Sequence, residues 1–500
     1  MEFHVIRGTV GDMTVDSLIL CLFKDTKVLS PEIKELDRQL GGIISEMIAE
    51  ESFAGKEMEV QVIHTLGKIT PKKLILAGLG EEKKVDEEVL RNVLGSVVKK
   101  AGKLGDKRIA LYLEEDLEKK ICPVAIGQSL AEGALMSLYR FDKYKSGDRK
   151  QEEIQEILFI KKYEMENELI EKGIQRGVAL AQAVNLARDM VNEPGNRMTP
   201  TVMAEAAKKI AGSHGMKVEI LEKEDMEKLG MYALVGVTKG SAEPPKLIVI
   251  EYNGGDPQGE KIALVGKGLT FDAGGISIKP AQGMEDMKDD MAGGAAVIGA
   301  MEAIGALKPR VNIIAVVPAC ENLPSGTAQK PGDVVKSMNG KTIEIINTDA
   351  EGRLILVDAI SYAIQKGADK VIDIATLTGA CVVAFGHVTT GALTNNESLW
   401  LQVQEAAARA GDKIWQMPAF EEYKELIKSD IADIKNSGGR WGGMITAGLF
   451  IGSFVENKPW VHIDIAGTVS TKKDHGYRVK GPTGVGVRML AHLAEILAGK

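Results

Sequence analysis

Up to about residue 150, short apolar runs alternate with stretches whose apolar positions recur every three or four residues. The runs Phe3–Arg7, Ser17–Leu22, Lys73–Ala77 and Arg108–Tyr112 read as strands, and Pro31–Ile48 and Glu87–Lys100 as helices. This alternation predicts an α/β layer, and no cluster of potential catalytic groups falls in it. A charged stretch from Arg149 then leads into Met165–Val191, which has helical period and stops at Asn192-Glu193-Pro194-Gly195-Asn196. Pro-Gly between asparagines is a strong helix terminator, so the segment predicts a connecting helix. Beyond it the pattern changes. Leu247–Tyr252, Ile262–Val265, Val311–Val317, Thr342–Ile346, Lys370–Ile374 and Val461–Ile465 are nearly continuous apolar runs, many of them β-branched, and helical segments such as Met291–Ala306 and Leu354–Gln365 lie between them. Strands of this kind predict a largely parallel sheet covered on both faces. The expected organisation is therefore an α/β domain over residues 1–160, a linker helix over 161–192, and a larger α/β/α domain with a mostly parallel central sheet over 193–500.

The length of 500 residues supports this division, since a single hydrophobic core rarely serves so long a chain. A hydrophobic share of 44 % with 26 % charged residues excludes extensive disorder. The formal charge of -8, without a dense Lys/Arg tract, weighs against a nucleic-acid or anionic-membrane surface. Met1–Asp16 lacks the features of a secretory signal, and no apolar run reaches the ~18 residues of a membrane span. Cys21, Cys122, Cys320 and Cys381 are scattered without a CxxC pair, as buried thiols of a reducing compartment would be. The expectation is a cytoplasmic protein with no membrane partner.

Three polar clusters interrupt the apolar pattern of the second domain. The first, Val265 to Pro280, places Lys267, Asp272 and Lys279 among glycines and small residues. The second carries Asp289 and Asp290 at the start of a helix, and the third is Asn347-Thr348-Asp349-Ala350-Glu351-Gly352-Arg353. Singly, each has a bland reading: Asp290, Asp349 or Glu351 as a first-turn carboxylate favoured by the helix dipole, Lys267 as a solvated turn residue. Together they sit at strand ends or helix starts of one predicted sheet, where functional groups of parallel sheets gather. An oxygen-rich carboxylate set suits Mg²⁺, Mn²⁺ or Zn²⁺. Other catalytic arrangements are missing. The seven histidines form no HExxH, there is no GxSxG elbow, and Gly266-Lys267-Gly268 lacks the Ser or Thr of a phosphate-binding loop. His462 and Asp464 alternate on a strand and read as a structural hydrogen bond, and the methionines, Met287 included, as packing.

The strings at 265–272, 276–280 and 347–354 resemble the leucyl (cytosol) aminopeptidase family, and the resemblance extends from Asn192-Glu193-Pro194-Gly195-Asn196 to Trp460–Thr468. Ala273 departs from the Ser common there, and Gly11-Asp12-Met13-Thr14 looks like the family's macro-domain-like first domain. The resemblance implies an aminopeptidase that releases N-terminal residues, preferentially Leu and other apolar ones. It implies two divalent ions, Mn²⁺ or Zn²⁺, sharing Asp272 and Glu351; one adds Lys267 and Asp290, the other Asp349. Lys279 and Arg353 would be the catalytic residues that bind no metal, with bicarbonate on Arg353 as proton shuttle. Asn347, Met287, Thr376, Leu377 and Gly379 would lie near the peptide substrate, and the assembly would be a homohexamer. Some relatives also bind DNA, which the acidic balance makes unexpected here.

This inventory suits the chemistry. Two cations about 3.5 Å apart can lower the pKa of a bridging water toward neutrality, and a free α-amine can ligate one of them, restricting cleavage to N-termini. Lys267 can ligate only as the neutral amine, which requires the adjacent dications to depress its pKa. Arg353 cannot accept a proton at neutral pH, but its planar fork suits a planar oxyanion.

Overall fold

Ser17–Leu22 is buried at every position, as a strand covered on both faces must be. Leu18, Leu20 and Leu22 enter one apolar cluster with the helix Pro31–Leu40, while Ile19 and Cys21 enter another with the helices Glu87–Lys103 and Pro123–Ser137. The strand lies inside a six-stranded sheet ordered Glu2–Arg7, Glu156–Lys161, Arg108–Tyr112, Ser17–Leu22, Lys73–Gly78, Val60–His64, in which only the last pairing is antiparallel. In this computed structural model all residues are described except 25, 113, 115, 116, 118, 148–153, 162–166 and 500. The chain forms two compact units, Met1–Gln182 with Lys472–Lys480 and Ala183–Thr471 with Gly481–Lys500.

Two features of the first unit differ from the sequence pattern. The single helix expected over Pro31–Ile48 is two, Pro31–Leu40 and Ile43–Ala49. Gly41 and Gly42 between them have φ of 86° and 85°, a left-handed conformation that glycine adopts without strain. The Asp37 carboxylate accepts the Ile44 N–H at 2.8 Å and so anchors the second helix. Val60–His64 and Glu156–Lys161 are additional strands. The connecting helix spans Asn167–Asn192; Met165 and Glu166, and Arg149 at the head of the charged stretch, lie outside the described residues.

The second unit is built on a nine-stranded sheet. Its four middle strands, Trp460–Asp464, Lys370–Ala375, Lys261–Gly266 and Asn312–Asn322, run parallel. Antiparallel strands flank them, Thr390–Thr394 on one side and Lys246–Asn253 on the other; beyond the first lies Ile414–Gln416, parallel to it, and beyond the second Lys217–Leu221, antiparallel to it. A further short strand, Gly268–Asp272, pairs in parallel with the last residues of Asn312–Asn322. The helices Ala292–Leu307 and Gly352–Gln365 pack on the middle strands. The first comes very close: a Cβ on Gly293 would lie 2.2 Å from the Ile374 carbonyl oxygen. Among the described residues one helical stretch, Met284–Leu307, is long and apolar enough to cross a membrane, and 83 % of its apolar window is buried as core.

The strand expected at Thr342–Ile346 does not join this sheet. Thr342–Glu344 is the centre of a separate three-stranded sheet with Val334–Lys336 and Ile434–Lys435. Only Ile343 of its three residues is fully buried, in the apolar cluster that holds Leu354 and Ile355. A strand this short lacks the continuous burial of a central one.

Candidate metal centre

Each polar cluster lies at a junction between regular elements. Lys267 follows directly on the strand Lys261–Gly266, Asp272 ends Gly268–Asp272, and Asp290 ends the 3₁₀ turn Met284–Asp289. Glu351 occupies the N-cap position of Gly352–Gln365. The three clusters thus converge although the third comes from the small sheet. Asp272, Asp290 and Glu351, all buried, each offer an oxygen within 4.8 Å of the others, and no other group of three among the described residues does the same.

The two lysines bind these carboxylates together. Lys267 Nζ lies 2.8 and 2.7 Å from the two Asp290 oxygens, 3.0 Å from Glu351 Oε1 and 3.1 Å from the Thr376 carbonyl. Lys279 Nζ lies 2.8 Å from Asp272 Oδ2 and 2.5 Å from Asp349 Oδ1. Asp272 Oδ1 accepts from the Gly274 N–H and from Asn322 Nδ2, both at 2.8 Å. Gly274 has φ of 87°, and a Cβ there would sit 2.8 Å from Asp349 Oδ1, so both conformation and space call for glycine. Thr376 Oγ1 donates to Asp290 Oδ1 at 2.7 Å.

Electrostatically, the site is short of positive charge. Burial raises the Asp290 carboxyl well above its ordinary range, with Asp272 and Glu351 adding to the rise against Lys267. Burial, then Asp272, pushes Glu351 up to about 7. Asp349 is raised too, chiefly by burial. Burial alone would lower the Lys267 amine; Asp290, Glu351 and Asp272 outweigh it and hold the pKa above the ordinary lysine range. Lys279 is likewise raised, burial being outweighed by Asp272 and Glu351. Glu351 Oε2 is buried without a hydrogen-bond partner. Such a set of hard oxygen donors with one unpartnered, resisting ionisation for want of cations, fits divalent metal ions.

Arg353 is buried on the next turn. Its Nη1 donates to the Asn436 carbonyl at 2.7 Å, while Nε has no partner, and burial lowers its pKa to about 10 against the pull of Glu351 and Asp464. Of the residues expected near a substrate, Thr376 touches the carboxylates directly. Met287 shares the turn ending on Asp290, whose N–H its carbonyl accepts at 3.4 Å. The Asn347 side chain accepts the Asp349 N–H at 2.9 Å. Leu377 and the exposed Gly379 lie on the segment after Lys370–Ala375. That segment is held by Asp464, which accepts the Leu377 N–H at 3.2 Å and the Thr378 hydroxyl at 2.7 Å. The expected hydrogen bond of His462 exists, but to Asp373: His462 Nδ1 lies 2.5 Å from Asp373 Oδ1, and Trp460 Nε1 donates to Asp373 Oδ2 at 2.6 Å.

Supporting residues without a sequence signal are Asn322 and Asn436, and the sequence gives Thr348, although inside the third cluster, no role. Thr348 Oγ1 donates to the Gly274 carbonyl at 2.7 Å and accepts the Ser277 N–H at 2.8 Å, joining the first and third clusters. A lone Asn carries no spacing that marks it.

Residues 185–491 match the catalytic domain of the cytosol aminopeptidase family, and residues 19–148 its N-terminal domain. Probable cytosol aminopeptidases of Alkaliphilus oremlandii (strain OhILAs) and Alkaliphilus metalliredigens (strain QYMF) are each 53 % identical, over 496 and 498 residues, with 99 % of both chains covered in each comparison. Among solved structures, a mutant tomato leucine aminopeptidase superposes with a TM-score of 0.89 at 33 % identity, covering 99 % of this chain and 96 % of that one. The bottromycin maturation enzyme BotP in complex with Mn gives 0.85 at 30 % identity, covering 97 % and 99 %. With its carboxylate–lysine centre and both family domains, the chain belongs to the cytosol aminopeptidase family and is a metallo-aminopeptidase.

Proposed function

We propose that this aminopeptidase releases N-terminal residues, preferentially Leu and other apolar ones, from cytoplasmic peptides, using two divalent ions, Mn²⁺ or Zn²⁺. The observation that carries the reading is the convergence of the buried Asp272, Asp290 and Glu351, with Glu351 Oε2 left unpartnered. Lys267, Asp272, Asp290, Asp349 and Glu351 would hold the ions. When bound, these would supply Lewis acidity and lower the pKa of water enough to make it a nucleophile near neutral pH.

The chain's own residues do the rest. Lys279 keeps its ammonium, supported by Asp272 and Asp349, and would polarise the scissile carbonyl and stabilise the oxyanion. Arg353 presents an unpartnered buried Nε–H, which suits a planar anion such as bicarbonate, the proposed proton carrier. Asp464 holds the Leu377–Thr378 segment, and with Thr376, Gly379, Met287 and Asn347 that segment forms the proposed substrate wall. The assembly proposed from family membership is a homohexamer.

The test is hydrolysis of a leucine anilide after chelation and again after readdition of Mn²⁺, Zn²⁺, Co²⁺ or Mg²⁺. Activity should vanish on chelation and return with Mn²⁺ or Zn²⁺. No activity with any of the four overturns the reading.

A further inference from the structure

Asn436 follows the two-residue strand Ile434–Lys435 and is completely buried. Its planar amide meets four groups of one loop. Oδ1 accepts the N–H of Ile346 at 2.8 Å and of Asn347 at 3.3 Å, while Nδ2 donates to the carbonyls of Asn347 at 2.7 Å and Ala350 at 3.3 Å. That loop carries Asp349 and ends on Glu351. The backbone of Asn436 does two further things: its N–H binds the Glu344 carbonyl at 3.0 Å, and its carbonyl accepts Arg353 Nη1 at 2.7 Å. One residue therefore spans the ligand loop from end to end and also fixes the guanidinium beyond it.

We infer that Asn436 is a positioning residue that sets Asp349 and Glu351 against Arg353. The inference rests on the metal assignment proposed above. Asparagine is suited to the place because it alone with glutamine joins an acceptor and two donors in one rigid plane. Glutamine is one methylene longer, and aspartate could not donate to the carbonyls of Asn347 and Ala350. Groups that orient metal ligands without binding the ion typically matter by 10- to 100-fold in affinity or activity.

The experiment uses the full chain stripped of metal and titrated with Mn²⁺, with kcat and KM on a leucine anilide measured at saturating Mn²⁺. Asn436→Ala should raise the Mn²⁺ Kd by about tenfold or more and lower kcat by more than it changes KM. Asp433→Ala is the control. Asp433 accepts the N–H and hydroxyl of Thr342, both at 2.8 Å, so its loss loosens the same small sheet without touching the ligand loop, and Mn²⁺ Kd and kcat should hold. If Asn436→Ala does not fold, Asn436→Ser is read by the same criterion. A parent chain that binds neither Mn²⁺ nor, in the same titration, Zn²⁺ overturns the metal reading and this inference with it. A parent that binds Mn²⁺, beside an Asn436 variant that binds it equally, overturns this inference alone, and so does an equal loss in Asp433→Ala.

Discussion

Gly352 is the residue whose replacement reports most directly on how the centre is packed. It opens the helix Gly352–Gln365, and a Cβ built on it would lie 2.5 Å from Lys267 Cε, 2.8 Å from Nζ and 3.0 Å from Cδ. Its φ is ordinary, so alanine meets no backbone strain there, and helix propensity favours alanine over glycine by up to ~1 kcal/mol. The penalty therefore comes from Lys267 alone. To reach ordinary contact its Cε must retreat from 2.5 to 3.4 Å. The ammonium head cannot follow freely, being held by both Asp290 oxygens, by Glu351 and by the Thr376 carbonyl. Giving up one such charge-assisted bond costs about 1.5–3 kcal/mol, which the helix term partly offsets, leaving a net destabilisation of roughly 1–2 kcal/mol. Function should suffer far more, because misplacing a reacting or ligating group by about 1 Å costs on the order of 10² in rate. The assay compares Gly352→Ala with the parent in kcat/KM on a leucine anilide, Mn²⁺ affinity and unfolding free energy. A variant within about threefold of the parent in kcat/KM, with unchanged Mn²⁺ affinity, would show that Lys267 has room to move and refute the reasoning.

Arg353→Ala should lose much of the activity and all response to added bicarbonate while still binding Mn²⁺; a variant still stimulated by bicarbonate would sink the proton-carrier role. Lys279→Met should lower kcat by about 10²–10³ with little change in KM, the cost of removing an oxyanion donor, as steady-state kinetics at saturating metal would show. Asp358 is fully buried and accepts the N–H groups of Met338 and Leu234 at 2.8 and 2.9 Å, yet burial pushes its pKa up to about 7. A carboxyl raised on folding binds its proton more tightly in the native state, so its contribution is fully present below the ordinary carboxylate range and is lost as pH rises through about 7. Urea unfolding in chelator should therefore show the stability of the parent relative to Asp358→Asn falling over that window; a difference independent of pH would contradict it.

The carboxylates and lysines of the centre were legible because they cluster where apolar runs break off, at strand ends, helix starts and the loops between them, where a charged residue has no packing role. Their mutual placement was harder to read. Thr342–Ile346 has the apolar, β-branched look of a central strand, and nothing local reveals that it pairs instead with Val334–Lys336 and Ile434–Lys435. The helix break at Gly41-Gly42 was hidden because the apolar period continues across it, Ile43 and Ile44 keeping phase with Leu36 and Leu40. His462 was expected to make a structural bond, but its partner Asp373 is 89 residues away, on a neighbouring strand, and only the register of the parallel pair brings them together. Asn322 and Asn436 escape notice for a different reason: their value lies in amide geometry, which leaves no periodic trace.

The five proposed ligands come from two sheets. Lys267 and Asp272 hang from the nine-stranded one and Asp290 from the turn before a helix packed on it, whereas Asp349 and Glu351 follow Thr342–Glu344 of the small one. A cation joining them would therefore act as a fastener between layers as well as a reagent. Short strands of two and three residues carry little stability of their own, and a ligand that binds only the closed arrangement stabilises it in proportion to its saturation. The metal content of the protein is then also a setting on its local mobility. Depletion would first be felt as faster amide exchange through residues 334–353, while the large sheet stays protected.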